Sequence, residues 1–147
     1  TKSELTDCEV KHVLIAEDNE LNYEDAHEIV AMDGIKSEQA EKGKICVERC
    51  MEAPEGTYDG ILMDMQRPVM KFLEATKMLR KMDQYHGNTI PIIAMTANVA
   101  KTDMDKCLAA GMTGHLAKPL DIHALIAALV SVRKREMQKW RRRIKQW

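Results

Sequence analysis

The chain has 147 residues, with 22 Lys and Arg against 23 Asp and Glu, and a formal net charge of −1. This length fits one domain that buries about two thirds of the surface exposed by its unfolded chain. No apolar run approaches the roughly 20 residues of a membrane-spanning helix. The first ten residues lack a signal-peptide pattern. We therefore expect a soluble, cytoplasmic protein, whose parent chain could still be membrane-attached.

The charge is unevenly distributed. Residues 133–147 contain eight Lys and Arg and one Glu, a net charge of +7, whereas the other 132 residues hold 14 Lys and Arg against 22 Asp and Glu, a net charge of −8. We expect an extension at 1–10, a domain at 11–132 and a basic tail at 133–147 that continues the last helix or serves as a linker. Trp140, Ile144 and Trp147 would form an apolar stripe on such a helix. The stripe suits nucleic acid, an anionic membrane or a partner helix, but a solvated extension or linker is favoured.

The cysteines and histidines do not form a ligand set. Cys8, Cys46, Cys50 and Cys107 lack CxxC spacing, which indicates reduced thiols. Cys46 and Cys50 lie four apart on a predicted helix, but without a matching pair a shared metal is disfavoured.

The first half of the chain alternates strands with helices. We predict a strand from His12 to Ala16, a helix capped by Asn19 or Asn22 and ended by Gly34, a weak strand from Ile35 to Ala40, and a helix from Lys42 to Ala53. The inner face of the first helix is predicted to contain Leu21, Asp25 or Ala26, Ile29 and Met32.

The second half continues the alternation. We predict a strand from Tyr58 to Met63, a helix from about Phe72 to Tyr85, a strand from Ile90 to Met95, a helix opened by Thr96-Ala97-Asn98 and stopped by Gly111, a short strand near His115 to Ala117, and a last helix capped by Asp121. The expected buried residues are Phe72, Leu73, Thr76, Leu79 and Met82 in the third helix and Ile122, Leu125, Ile126, Leu129 and Val132 in the last. Five strands alternating with five helices predict an α/β fold with a doubly wound, five-stranded parallel sheet in three layers, a flavodoxin-like (βα)5 architecture.

The chemistry centres on Asp64. The apolar run Ile61-Leu62-Met63 leads directly into this aspartate, and Pro68 follows four positions later. A proline cannot continue a central strand, so the run is interpreted as a buried strand that ends at Asp64. The carboxyl end of such a strand is where open α/β sheets bind ligands.

Four predicted strands end in polar residues that the parallel sheet would bring to the same edge. Glu17 and Asp18 follow the first strand, Asp64 the third, Thr96 the fourth and Lys118 the fifth. Three converging carboxylates raise each other's pKa unless a cation neutralises them, which predicts a Mg²⁺ site. Asp64 would then be a nucleophile toward phosphorus, with Lys118 and the Thr96 hydroxyl binding the phosphoryl group. The alternatives are that Glu17, Asp18 and Thr96 only cap helices and that Lys118 only pairs with an acid.

The segments that contain these residues resemble the signature motifs of response-regulator receiver domains, especially those attached to hybrid sensor histidine kinases. The similarity covers about residues 11–132 and rests on Ile15-Ala16-Glu17-Asp18-Asn19-Glu20-Leu21-Asn22, Ile61-Leu62-Met63-Asp64-Met65-Gln66-Arg67-Pro68-Val69-Met70, Ala94-Met95-Thr96-Ala97-Asn98 and Gly114-His115-Leu116-Ala117-Lys118-Pro119-Leu120.

The resemblance implies a phosphorelay function. Asp64 would accept a phosphoryl group from the phosphohistidine of a histidine kinase or histidine phosphotransfer protein, and Glu17, Asp18, Asp64 and the Gln66 carbonyl would hold Mg²⁺. Thr96 would be the switch hydroxyl, Lys118 would bind the phosphoryl group, and Lys118-Pro119 would be a cis peptide. Phosphorylation would change a partner surface from the fourth helix to the fifth strand. Such a domain catalyses only its own phosphorylation and dephosphorylation and is not a dedicated enzyme.

Two positions depart from the family pattern. Lys71-Phe72 stands where Asp-Gly is usual, which removes a flexible glycine and adds a cation near the acceptor. His115 occupies the position of an aromatic switch residue, where it could rotate, confer pH sensitivity or simply be a partly exposed strand residue.

Two other functions stay open from the sequence. A phosphatase of the haloacid-dehalogenase type also uses an Asp, a Thr and a Lys. It would require a second Asp at position 66, where this chain has Gln. The other alternative is a receiver-like binding module that no longer takes phosphate, which only Lys71-Phe72 and His115 support.

Overall fold

The computed structural model describes residues 10–54, 56–65, 72–82, 89–97 and 100–147. Several predicted features lie outside these ranges. They are the extension before Val10, Gln66, Lys71, Asn98 and the predicted third-helix end at Tyr85.

Five parallel strands form one sheet in the order β2-β1-β3-β4-β5. The strands are β1 (His12–Ala16), β2 (Lys36–Ala40), β3 (Gly60–Met65), β4 (Ile92–Thr96) and β5 (Gly114–Ala117). The predicted α/β, doubly wound, flavodoxin-like sheet is therefore confirmed. The prediction for β3 was two residues early, because β4 continues to Thr96 and pairs with β3 as far as Met65. Asp64 thus lies inside the strand, one residue before its end.

Five helices connect the strands or follow the last one. They are α1 (Glu20–Ala31), α2 (Gly43–Glu52), α3 (Leu73–Lys81), α4 (Lys101–Ala110) and α5 (Ile122–Lys145). The Asn19 and Asp121 side chains accept hydrogen bonds from the first turns of α1 and α5, and Gly111 ends α4 with a φ of 116°. These three caps agree with the prediction. None of the helices in the described ranges combines the length and apolar character needed to cross a membrane.

Two helix boundaries differ from the prediction. α4 begins at Lys101 rather than near Thr96, because the Thr96 backbone is committed to the sheet and Ala100 is the cap. α3 ends at Lys81, since Met82 already has extended backbone.

The core lies on both faces of the sheet. Strand residues alternate between the two layers, as Leu14 faces α2, α3 and α4 whereas Val13 and Ile15 face α1 and α5. All three are fully buried. The predicted buried residues of α3 and α5 are buried, except that Met82 and Ile122 are only partly buried and pack against the two layers.

The predicted inner face of α1 is largely wrong. Leu21 is 77% exposed and Met32 is 81% exposed, whereas Ala26 and Val30 make the buried contact with the sheet. At about 100° per residue, Leu21 and Met32 lie close together around the helix axis, on the side opposite the buried Val30. Their apolar character therefore does not indicate burial.

Candidate functional site

The carboxyl ends of β1, β3, β4 and β5 bring the predicted site residues to one edge of the sheet. Glu17 follows β1, and its backbone N–H donates to the Ala40 carbonyl at 3.0 Å. Lys118 follows β5, and its backbone N–H donates to the Thr96 carbonyl at 2.7 Å. These two hydrogen bonds continue the backbone pairing of the sheet beyond the ends of the strands. They therefore fix the backbone positions of Glu17 and Lys118.

Asp64 and Lys118 form an ion pair at this edge. The ammonium of Lys118 contacts Oδ1 of Asp64, whose side chain is only 2% exposed. The peptide bond between Lys118 and Pro119 is cis, as the resemblance implies.

Glu17 is the second buried carboxyl group of the site. Burial raises the pKa of Glu17 to about 7, and its hydrogen bond with Asp64 adds to the shift. The Asn19 backbone N–H donates to Glu17 Oε1 at 2.9 Å and lowers the pKa, but it does not offset the burial. Burial therefore disfavours the ionised form of Glu17.

The structure describes three of the four predicted metal ligands, Glu17, Asp18 and Asp64. Asp18 is exposed beside Glu17, and Gln66 lies outside the described residues. Within the described ranges, no three His, Cys, Asp or Glu side chains are grouped closely enough to hold a metal ion. Mg²⁺ commonly uses only one or two carboxylates and keeps several waters. Glu17 and Asp64 fit that smaller donor set.

The two predicted switch residues occupy different environments. The Thr96 hydroxyl is nearly buried and donates to the Leu116 carbonyl at 3.3 Å. The His115 side chain is exposed on β5, which pairs with β4. Thr96 is therefore engaged with β5 rather than with Asp64 in this conformation.

Sequence reasoning missed Gln39 as a support for the site. Its side-chain amide on β2 donates to the Glu17 carbonyl at 2.9 Å and holds the loop that follows β1. Only the register of β1 against β2, which pairs Ile15 with Gln39, places that amide within reach. The sequence carries no local signal for this contact.

Comparison with known proteins agrees with the geometry. The sequence model of the response regulator receiver domain matches residues 13–130. The chain belongs to this family and is a receiver domain of two-component signalling systems. It is 34% identical over 118 residues to hybrid signal transduction histidine kinase M of Dictyostelium discoideum. The aligned region covers 80% of this chain but only 5% of that protein. The chain therefore spans a small part of such a relative.

Solved structures show the same similarity. The receiver domain of the sensor histidine kinase PA1611 from Pseudomonas aeruginosa, which has magnesium coordinated in its active-site cleft, is 33% identical with a TM-score of 0.68 and covers 81% of this chain and 93% of that domain. The complex of the Saccharomyces cerevisiae phosphotransfer protein Ypd1 with the Ssk1 receiver domain gives 31% identity, a TM-score of 0.63 and coverage of 78% and 83%. These similarities do not support either alternative function, the phosphatase or the receiver-like binding module that no longer takes phosphate.

Proposed function

We propose that Asp64 is the phosphoacceptor of this receiver domain. The observation that carries the proposal is the environment of its carboxylate, which is buried and contacts the ammonium of Lys118. An ionised carboxylate of this kind is a competent nucleophile without a separate base. Asp64 is also the aspartate of the motif that resembles the family's acceptor segment.

The phosphoryl group is transferred from a phosphohistidine. Asp64 forms an oxygen–phosphorus bond as the nitrogen–phosphorus bond breaks, and the imidazole nitrogen keeps the electron pair and takes a proton. Lys118 stabilises the negative charge of the transferring group, because its ammonium already lies against Asp64. The product is an aspartyl phosphate beside the lysine.

Glu17 and Asp64 would hold Mg²⁺ at this site, with Asp18 and the Gln66 carbonyl as further ligands by resemblance. The ion supplies positive charge that draws in the phosphoryl oxygens. Burial of Glu17 beside Asp64 raises the pKa of Glu17 to about 7, and a bound cation would offset this cost of ionising it. The magnesium in the Pseudomonas aeruginosa receiver domain supports it independently.

Thr96 couples the acceptor to the partner surface. Its hydroxyl now donates to the Leu116 carbonyl and would have to turn away from β5 to bind a phosphoryl oxygen. That exchange of hydrogen bonds biases the surface from α4 to β5, including the exposed His115, toward a second packing. A downstream partner would distinguish the two forms there.

The phosphoryl donor is a histidine kinase or a histidine phosphotransfer protein. The complex of a receiver domain with the phosphotransfer protein Ypd1 supports the second source. The hybrid histidine kinase relative supports a kinase in the same polypeptide or pathway.

The test is intact mass after incubation with Mg²⁺ and acetyl phosphate. We expect the parent protein to gain one phosphoryl group and Asp64→Asn to gain none. Asp25→Asn is the matched control, because Asp25 is exposed on α1, away from the sheet edge. An equal mass gain in Asp64→Asn, or no adduct and no binding of a stable phosphate mimic by the parent, would overturn the assignment.

A further inference from the structure

The last part of α5 carries a stripe of exposed apolar side chains. The helix continues to Lys145, well beyond its buried residues Leu125 to Val132. Four large apolar side chains of this part are each more than half exposed, and we call them the apolar seam: Met137, Trp140, Ile144 and Trp147.

The spacing of the seam is that of a helix-helix contact. Its members are separated by three, four and three positions, which are the alternating a and d sites of a heptad repeat. Such a stripe is narrow, since it covers little more than one row along the helix. A helix that lies on a membrane needs a broader apolar face. The seam therefore fits a single partner helix better than a lipid surface.

The charges beside the seam specify the partner's chemistry. The positions that flank a and d are occupied by Lys134, Glu136, Arg141 and Arg143, three of which are basic. Residues 133–147 carry a net charge of +7, so pairing with a second copy would place two such segments side by side. An acidic partner helix would replace this repulsion with ion pairs across the seam.

A groove at the base of the seam adds a second contact. It encloses about 510 Å³ between α5 and the loops that precede β3 and β4. Tyr58, Ile90 and Pro91 form its domain wall, and Met137 and Trp140 form its helix wall. The groove lies at the amino ends of the strands, whereas Asp64 lies near the carboxyl end of β3. A partner in the groove leaves the acceptor edge accessible.

We propose that residues 137–147 of α5 and this groove form a docking site for an acidic, amphipathic helix of a partner protein. The apolar side chains of that helix pack between the seam and the groove wall, and its carboxylates pair with Arg141 and Arg143. The Arg133–Asp59 ion pair holds α5 against the domain where the seam begins. The site is separate from the proposed acceptor chemistry.

The probe is a synthetic three-heptad peptide without tryptophan, with Leu at a and d and Glu at e and g. We expect saturable 1:1 binding by calorimetry and a blue shift of tryptophan emission as the seam is buried. Trp140→Ala and Ile144→Ala should each weaken binding about tenfold, as loss of a central apolar anchor does. The double variant Arg141→Glu, Arg143→Glu should weaken it further through repulsion.

The controls separate this site from general attraction between charges. Leu21→Ala removes another exposed apolar side chain, 77% exposed on α1, and should leave the affinity unchanged. A scrambled peptide of the same composition should bind at least about tenfold more weakly. Equal binding of both peptides would overturn the proposal.

Two further results would also overturn it. One is a seam-dependent homodimer of the chain alone in sedimentation equilibrium, which would assign the seam to a second copy. The other is binding to vesicles containing phosphatidylserine that depends on Trp140 and Ile144 as strongly as peptide binding does. That result would assign the seam to an anionic membrane.

Discussion

Glu17 is the residue whose protonation decides the charge of the acceptor site. Its pKa is about 7, mainly because of burial and secondarily because of the hydrogen bond with Asp64. Near pH 6 Glu17 keeps a proton that a cation would have to displace. Binding of Mg²⁺ at the proposed site is therefore expected to release a proton.

We expect the affinity for Mg²⁺ to rise about tenfold per pH unit below pH 7 and to level off above about pH 8. Calorimetry in buffers of different ionisation enthalpy measures the affinity and the released protons together. About one proton should leave per ion at pH 6 and almost none at pH 8.5. Glu17→Gln should bind Mg²⁺ weakly and without this pH dependence. A flat affinity from pH 6 to 8 in the parent would contradict the coupling.

The same shift predicts how stability changes with pH. The pKa of folded Glu17 lies above its ordinary value of 4.5, so the folded state binds the proton more tightly than the unfolded state. This contribution is fully present below pH 4.5 and is lost as the pH rises through 7. In urea titrations, the metal-free parent should lose stability relative to Glu17→Gln between pH 5 and 8. Saturating Mg²⁺ should reduce that loss.

At the scale of elements, Arg80 joins three segments that the chain separates. It lies in the last turn of α3, where Nε donates to the Gly111 carbonyl and Nη1 to the Ile90 carbonyl, both at 2.7 Å. Gly111 leaves room for it, since a Cβ there would lie 2.6 Å from Arg80 Cγ. Arg80 thus holds the end of α4 and the start of β4 against α3.

Arg80→Met should destabilise the fold by about 2–4 kcal/mol, because it keeps the apolar stem but leaves two carbonyls without a charged donor. Urea unfolding monitored by circular dichroism measures this loss. Arg135→Met, an exposed change on α5, is the matched control and should fall within about 0.5 kcal/mol of the parent. Equal stabilities of the two variants would show that the carbonyls find water instead.

For the whole molecule, Asp59 ties both ends of the fold together. Its Oδ2 accepts the backbone N–H groups of Lys11 and His12 at 2.7 and 3.0 Å, and Oδ1 contacts the Arg133 guanidinium. The start of β1, the start of β3 and the middle of α5 therefore meet at one carboxylate, which is 13% exposed. This contact sets the position of the long helix on the domain.

Asp59→Ala should cost about 2–4 kcal/mol, because it removes an ion pair and leaves two backbone N–H groups without their acceptor. Arg133→Met should cost less, since the carboxylate keeps both backbone donors. A double-mutant cycle in urea isolates the Arg133–Asp59 interaction. A coupling energy near zero would mean that the pair does not hold α5.

Much of the fold followed from sequence pattern because the signals were local and repeated. Ile61-Leu62-Met63 predicted a buried strand, and Asp121 and Gly111 predicted helix ends. The alternation of strands with helices predicted a parallel sheet. The prediction was wrong for α1, where Leu21 and Met32 are apolar but lie on the exposed face, opposite Val30. Periodicity shows which residues share a helix face. It does not show which face the neighbouring layer covers.

The sequence by itself determined the order of the site residues along the chain: an acid after the first strand, an aspartate after the third, a threonine after the fourth and a lysine after the fifth. Chain order and parallel pairing are enough to bring these groups to one edge. Only the tertiary structure decided their states, because burial and cross-strand distance set them. It paired Lys118 with Asp64, raised the pKa of Glu17, left Asp18 exposed and engaged Thr96 with β5. Desolvation and register depend on neighbours remote in sequence, and no local pattern encodes them.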